Sequence, residues 1–289
     1  MGSINWEQRP QLRRPAMICA FKGWNDAAES ATTALRYLAT QWDAERFAAI
    51  DPDDFFDFQV SRPTVTLTEG RTRDISWPEH VFWSARTATA DRDVVFLSGN
   101  EPNLRWKGFC QTVIDVANEL GVELIVTLGS LLADVPHTRP VSITGIAGDP
   151  EMVARLNFTE TRYEGPTGIT GVLHHACAGA KIKSASLWAP VPHYVATVPS
   201  PKAALALIER VETLLGVEVD TAELEQATEE YEQRLDAAVA SEPDVKLLVE
   251  RLEAQADEAE EDDVPMGDLP SGDSIAREFE RFLRDQTDD

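Results

Sequence analysis

Met17-Ile18-Cys19-Ala20-Phe21-Lys22-Gly23-Trp24-Asn25-Asp26-Ala27-Ala28-Glu29 is the stretch on which the fold turns. Five consecutive apolar residues predict a strand buried on both faces, and Lys22-Gly23 a turn. Asn25 reads as an N-cap, with Asp26 and Glu29 suited to the positive start of a helix. Ala27, Ala31, Ala34, Leu35 and Leu38 share one face, so the helix is expected from Asp26 to about Thr40. A strand, a glycine turn and a helix in that order open an α/β unit. In a parallel sheet such turns gather at one edge, where ligands of open α/β proteins bind.

The same alternation returns further along. Residues 94–97, 124–128, 141–146 and 186–189 read as strands. Helices are expected from about Pro102 to Leu120, from near Thr170, and from Ser200-Pro201 to Gly216, with Gly121 and Gly216 as left-handed ends. Between 45 and 90, the runs 56–60, 65–67 and 81–83 alternate as strands do, punctuated by Pro63, Gly70 and Pro78. The expected architecture is α/β: three layers, α/β/α, around a mixed, largely parallel sheet, with a C-terminal helical extension. The expected divisions are a core over 1–216, a helical extension over 217–256, an acidic linker over 257–273, and a terminal amphipathic helix over 274–289. In that last segment Ile275, Phe279, Phe282 and Leu283 recur at helical spacing.

The 289 residues are 43% hydrophobic and carry a net charge of −24. The segment from Val217 onward holds 25 acids and 6 bases, the remainder 25 acids and 20 bases. So acidic a tail argues against nucleic acid and anionic membranes as partners and suits either solubility or docking on a basic surface. No apolar run approaches the roughly 18 residues of a membrane span, and the start lacks a signal peptide's apolar core, so a cytoplasmic protein is expected. Cys19, Cys110 and Cys177 are far apart with apolar flanks, the pattern of buried reduced thiols. Cys177, after His174 and His175, is the one that could instead be catalytic. Those two histidines point to different helix faces, no zinc spacing is present, and neither metal nor cofactor is expected.

Several turns could carry chemistry. Gly165 to Gly171 precedes a helix with no carboxylate in its first turn, so Thr167, Gly168 and Thr170 could receive an anion; the spacing matches neither the dinucleotide fingerprint nor the P-loop. Gly99 to Trp106 offers Glu101, as a base, a hydroxyl ligand or simply a cap, and Arg105. Ser130, Asp134 and His137 are the residue types of a hydrolase triad, yet no glycine follows two residues after Ser130 to make a nucleophile elbow. Arg139 suits an anion or a surface ion pair, and His193 an acid or base or a structural role. With Asn25 and Asp26 these complete the candidate ligand-binding set; no catalytic residue stands out.

Taken together, segments 21–30, 99–106, 129–140, 165–173 and 190–207 resemble the proteasome-assembly-chaperone-two family in its actinobacterial branch, over about residues 15 to 215. The last segment includes Pro192-His193-Tyr194-Val195 and Pro199-Ser200-Pro201-Lys202-Ala203-Ala204. The resemblance implies a fold like that of nucleoside phosphorylases, a homo-oligomer with a trimer as the best guess, and a proteasome-related partner. Archaeal relatives can carry a C-terminal hydrophobic-Tyr-any-residue signal. Arg284 to Asp289 contains no tyrosine, so docking by that route is not expected. The resemblance brings no catalytic residues. Two functions follow as expectations: a non-enzymatic assembly chaperone, or an enzyme or sensor of a small anionic or nucleoside-like ligand.

Overall fold

A computed structural model describes residues 3–68, 72–87, 91–149, 152–153, 159–160 and 163–261. Its centre is four parallel strands, in the order β7 (Val94–Asn100), β2 (Ala16–Lys22), β8 (Leu124–Ala133) and β11 (Lys183–Pro192). Six of the seven residues of β2 are buried, as a strand covered on both faces requires. Antiparallel strands extend the sheet beyond β7, through β6 (His80–Ala85), β3 (Glu45–Ile50) and β1 (Ile4–Trp6). Beyond β11 lie β9 (Thr144–Ala147), antiparallel to it, and β10 (Thr159–Glu160). The sheet is thus mixed with a parallel core.

Strand alternation sends even-numbered residues of β2 and β8 to one face and odd-numbered ones to the other. Ile18, Ala20, Val126 and Leu128 meet α1 (Ser30–Gln41) and α4 (Pro201–Leu215) through Ala31, Leu35, Leu38, Leu207, Ile208 and Val211. Met17, Cys19, Phe21 and Ile125 meet α2 (Trp106–Leu120) and α3 (Ile169–Gly179) through Phe109, Val113, Leu173 and Cys177. The result is three layers, α/β/α. Gly121 and Gly216, at φ 70° and 67°, end α2 and α4 in the left-handed conformation that spares glycine a Cβ clash. Ser200 caps α4, its Oγ accepting from Ala203 N at 3.3 Å.

After α4 the chain forms α5 (Ala222–Ser241) and α6 (Pro243–Glu261). Leu224 joins the core beside α4, and Tyr231 and Leu235 pack on Val195 and Tyr194 just past β11. Helix α6 carries residues 257–261 of the acidic run as helix; the rest of that run and the apolar stripe at 275–283 lie outside the described residues.

Four elements depart from the sequence pattern. Residues 56–60 are turn rather than strand, because Phe55 and Phe56 plug the core: Phe55 meets Phe109 edge-on and Phe56 stacks on His80 at 4.7 Å. Helix α2 begins at Trp106, four residues late, since Arg105 is left-handed at φ 55°. Residues 64–68 and 72–76, β4 and β5, form a separate two-stranded ribbon. β9 starts at Thr144 rather than at Val141.

Candidate functional site

The four parallel strands end at one edge, and their loops meet there. Gly23 turns the chain after β2 at φ 141°, and a Cβ on it would come within 3.2 Å of Glu101 Cβ. The positive φ favours glycine, and the space beside it is tight. Glu101 N donates to Lys22 O at 2.8 Å, fastening the loop after β7 to the end of β2. Ser130, in the C-terminal half of β8, donates from N to Asn25 O and from Oγ to Ala27 O, at 2.8 and 2.9 Å.

One carboxylate joins the strand-end loops to α3. Glu101 Oε1 accepts from Asn25 Nδ2 and from Ile169 N, both at 2.8 Å. The helix start that sequence offered to an external anion is thus filled by the chain's own Glu101. Gly168 lets this happen: a Cβ there would fall 2.1 to 2.6 Å from the amide atoms of Asn25. Asn25 Oδ1 and Thr170 Oγ1 are buried and find no hydrogen-bond partner among the described residues.

Asn25 is not the cap of α1. A 3-10 turn over Ala27–Glu29, with Ala28 and Glu29 left-handed at φ 51°, delays the α-helix to Ser30. The cap is Asp26, whose Oδ1 accepts from Ala31 N at 2.9 Å and Thr32 N at 3.1 Å, while Thr32 Oγ1 donates to Oδ2 at 2.5 Å. Burial raises the Asp26 pKa, and the hydrogen bonds from Thr32 and Ala31 pull it part of the way back. Thr32 was missed in the sequence because capping patterns reach three residues ahead, not six.

The remaining candidates lie apart from this cluster. Arg105 pairs with Asp54, Thr167 is exposed, and His193 Nδ1 lies 3.0 Å from Asp134. His137 and Arg139 belong to the docking of α5 and α6. His137 N donates to Tyr194 Oη at 2.8 Å, and His137 Nδ1 lies 2.8 Å from the same oxygen. Burial pushes the Tyr194 phenol up to about 12, so it keeps its proton. On its other side, His137 Nε2 lies 3.1 Å from Asp236 Oδ1. Arg139 grips Asp257 through two nitrogens at 2.7 and 2.8 Å and reaches Glu253 at 3.4 Å. Lys202 Nζ donates to His137 O at 2.6 Å and pairs with Glu232.

This arrangement dissolves the triad, since Ser130, Asp134 and His137 each answer to a different partner. The thiols are no nucleophiles either. All three are free and buried, with burial pushing Cys110 up to about 12, Cys177 to about 11, and Cys19 upward as well. Among the described residues no three His, Cys, Asp or Glu side chains are grouped to hold a metal ion, and no helix is long and apolar enough to cross a membrane. A cavity of about 560 Å³ lined by Gln11, Leu12, Arg13 and Arg86 opens at the opposite edge of the sheet.

Three layers around a parallel-centred sheet, with sheet-edge loops stitched by Asn25, Glu101 and Ser130 and an acidic helical pair clamped over one end, define a class of α/β/α proteins. The chain belongs to the PAC2 family, whose model matches residues 20–239. Two solved structures place it in the actinobacterial branch. A PAC2 family protein from Streptomyces avermitilis is 45% identical, with TM-score 0.76 over 81% of this chain and 99% of that one. A proteasome-assembly chaperone homologue from Mycobacterium tuberculosis is 43% identical, with the same score and coverage. An archaeal proteasome activator from Pyrococcus furiosus shares the fold at 16% identity, with TM-score 0.66 over 82% of this chain and 98% of that one. No curated protein matches the chain.

Proposed function

We propose that this protein is a non-enzymatic, homo-oligomeric, cytoplasmic chaperone-like scaffold for a proteasome-related partner. In this reading the core over residues 1–216 is the platform and the acidic segments after it are the docking arm, with a trimer the favoured oligomer. The carrying observation is the fate of the sheet-edge polar groups. Asp26, Glu101 and Ser130 are engaged with backbone N–H and C=O groups of the chain itself, which supports a structural rather than a reactive edge. Likeness to the Mycobacterium tuberculosis assembly-chaperone homologue supports the choice of partner.

Pull-down with purified proteasome subunits tests it, comparing the full chain with one ended after Glu261, which keeps the Arg139–Asp257 anchor. Capture that depends on residues 262–289 is expected; the absence of any tail-dependent partner refutes the docking arm. A second reading, a sensor or enzyme for a small anionic or nucleoside-like ligand, is favoured by the partnerless Asn25 Oδ1 and Thr170 Oγ1. A thermal-shift screen with nucleosides, nucleotides and phosphate separates the two, because a ligand at about 100 times its Kd adds about 2.7 kcal/mol.

A further inference from the structure

Beneath α3, polar side chains from three elements converge at the boundary between helix and sheet. Thr127 of β8 and Ser186 of β11 are aligned neighbours in the parallel sheet. They lie on the face turned to α2 and α3, since Ile125, two residues before Thr127, packs there. On α3, Val172 and Ala176 pack into the cluster shared with α2. Thr170 and His174, each two residues earlier, are on the opposite flank of the helix, the one turned toward β11.

The levels of these groups follow from one contact. α3 runs against the strands, from Gly168 beside Asn25 down to the turn at Lys181 that leads into β11. Ser184 of β11 lies close enough to Cys177 of α3 to act on its thiol. Two residues further along β11, Ser186 stands about 7 Å higher, with Thr127 beside it. Three residues back along α3, the His174 backbone stands about 4.5 Å above Cys177. Helical side chains lean toward the N-terminus, which lifts the imidazole to the level of Thr127 and Ser186. Thr170 is a turn higher, on the side of Asn25.

The spot is interior. Thr127 is 0% exposed and Ser186 2%. The Trp188 ring covers it toward the strand ends, lying so close over Gly129 that a Cβ there would come within 2.6 Å of it. Thr127 Oγ1 and His174 Nδ1 are buried and find no hydrogen-bond partner among the described residues. Ser186 Oγ accepts from Trp188 Nε1 at 3.0 Å, which leaves its O–H to donate. Buried polar groups in folded proteins are paired, and those without a protein partner are bridged by water, which makes about three hydrogen bonds when buried. Two hydroxyls and an imidazole nitrogen supply that number. The hydroxyls can donate to the water oxygen, and the imidazole nitrogen can accept from it.

We propose that a structural water sits between α3 and the β8–β11 pair, bridging Thr127 Oγ1, Ser186 Oγ and His174 Nδ1. It ties α3 to the sheet on the flank where no apolar side chain does so. The site rests on neither reading of the function.

Two measurements test it. A crystal structure at about 1.5 Å is expected to show a water oxygen within about 3.2 Å of at least two of the three groups. A dry spot, or a water that touches fewer, overturns the proposal. Thr127→Val keeps the shape of the side chain and removes the hydroxyl, and the sign of its effect decides independently. Where the hydroxyl holds a water, its loss strands Ser186 and His174, and the unfolding constant from urea denaturation is expected to rise about fivefold. Where the hydroxyl is an orphan, its removal relieves a buried polar group, so an unchanged or smaller unfolding constant overturns the water.

Discussion

Replacing Gly168 by alanine tests whether the sheet-edge cluster is held by close approach. The backbone there, at φ −96° and ψ −173°, is extended and open to any residue, so strain contributes nothing. Space alone forbids a side chain, because the new Cβ would sit 2.1 Å from Asn25 Nδ2, 2.4 Å from Oδ1 and 2.6 Å from Cγ. Asn25 is 1% exposed and tied to Glu101, so it cannot swing aside without releasing the carboxylate that caps α3. Overpacking costs about 1–3 kcal/mol, and a hydrogen bond to a charged group is worth about 1.5–3 kcal/mol. Gly168→Ala should therefore lose about 3–4 kcal/mol, read as a lower urea midpoint with an unchanged slope. Asn25→Ala removes the obstacle, so alanine at 168 in that background should cost less than about 1 kcal/mol and the pair should couple by at least about 2 kcal/mol. A single Gly168→Ala variant within about 0.5 kcal/mol of the parent, or additive effects in the double variant, would refute the reasoning.

Three further outcomes are expected. Burial pushes the His80 pKa down to about 3, with its bond to Asn100 O at 2.7 Å pulling it slightly back. The unfolded imidazole titrates near about 6.5, so the stability tied to a neutral His80 is complete above that pH. It is lost as pH falls toward the folded value, by about 1.4 kcal/mol per unit. His80→Phe should flatten the fall in urea midpoint between pH 7 and pH 5, and an unchanged slope would contradict this. Arg139→Glu sets like charges against Glu253 and Asp257 on a partly exposed site, so α6 should loosen by about 1 kcal/mol; faster tryptic cleavage at Lys246 and Arg251 would report it, and high salt should mimic it in the parent. A thiol-specific chromophoric reagent should find no reactive cysteine in the native protein and all three after unfolding.

What the sequence revealed was what is local. The apolar run of β2, the glycine ends of α2 and α4, and the Ser200-Pro201 start of α4 each declare themselves within a few residues, and the structure has them all. Phe56 and Phe58 alternate with polar residues as a strand would, but periodicity cannot tell a strand from a plug that drives Phe56 onto His80. The candidate loops were legible as a group because parallel strands deliver their turns to one edge. Their hydrogen-bond partners were not. His137 meets Asp236 and Arg139 meets Asp257 across gaps of 99 and 118 residues, where no spacing rule applies. Asp26 serves the start of α1 as its charge suggested, but the helix begins at Ser30 rather than at Asp26, and its partner Thr32 was hidden by a left-handed kink at Ala28 and Glu29 that no residue type announces.

Glu101 fills, with the chain's own carboxylate, the helix start that would otherwise face outward. Its carboxylate already sits where a phosphate or sulfate would gain most from the positive pole of α3. Glu101→Ala would bare Ile169 N–H and release Asn25 Nδ2, so inorganic phosphate should stabilise that variant in a thermal melt and leave the parent unmoved. A single side chain thus stands between a sealed platform and a sheet edge open to ligands.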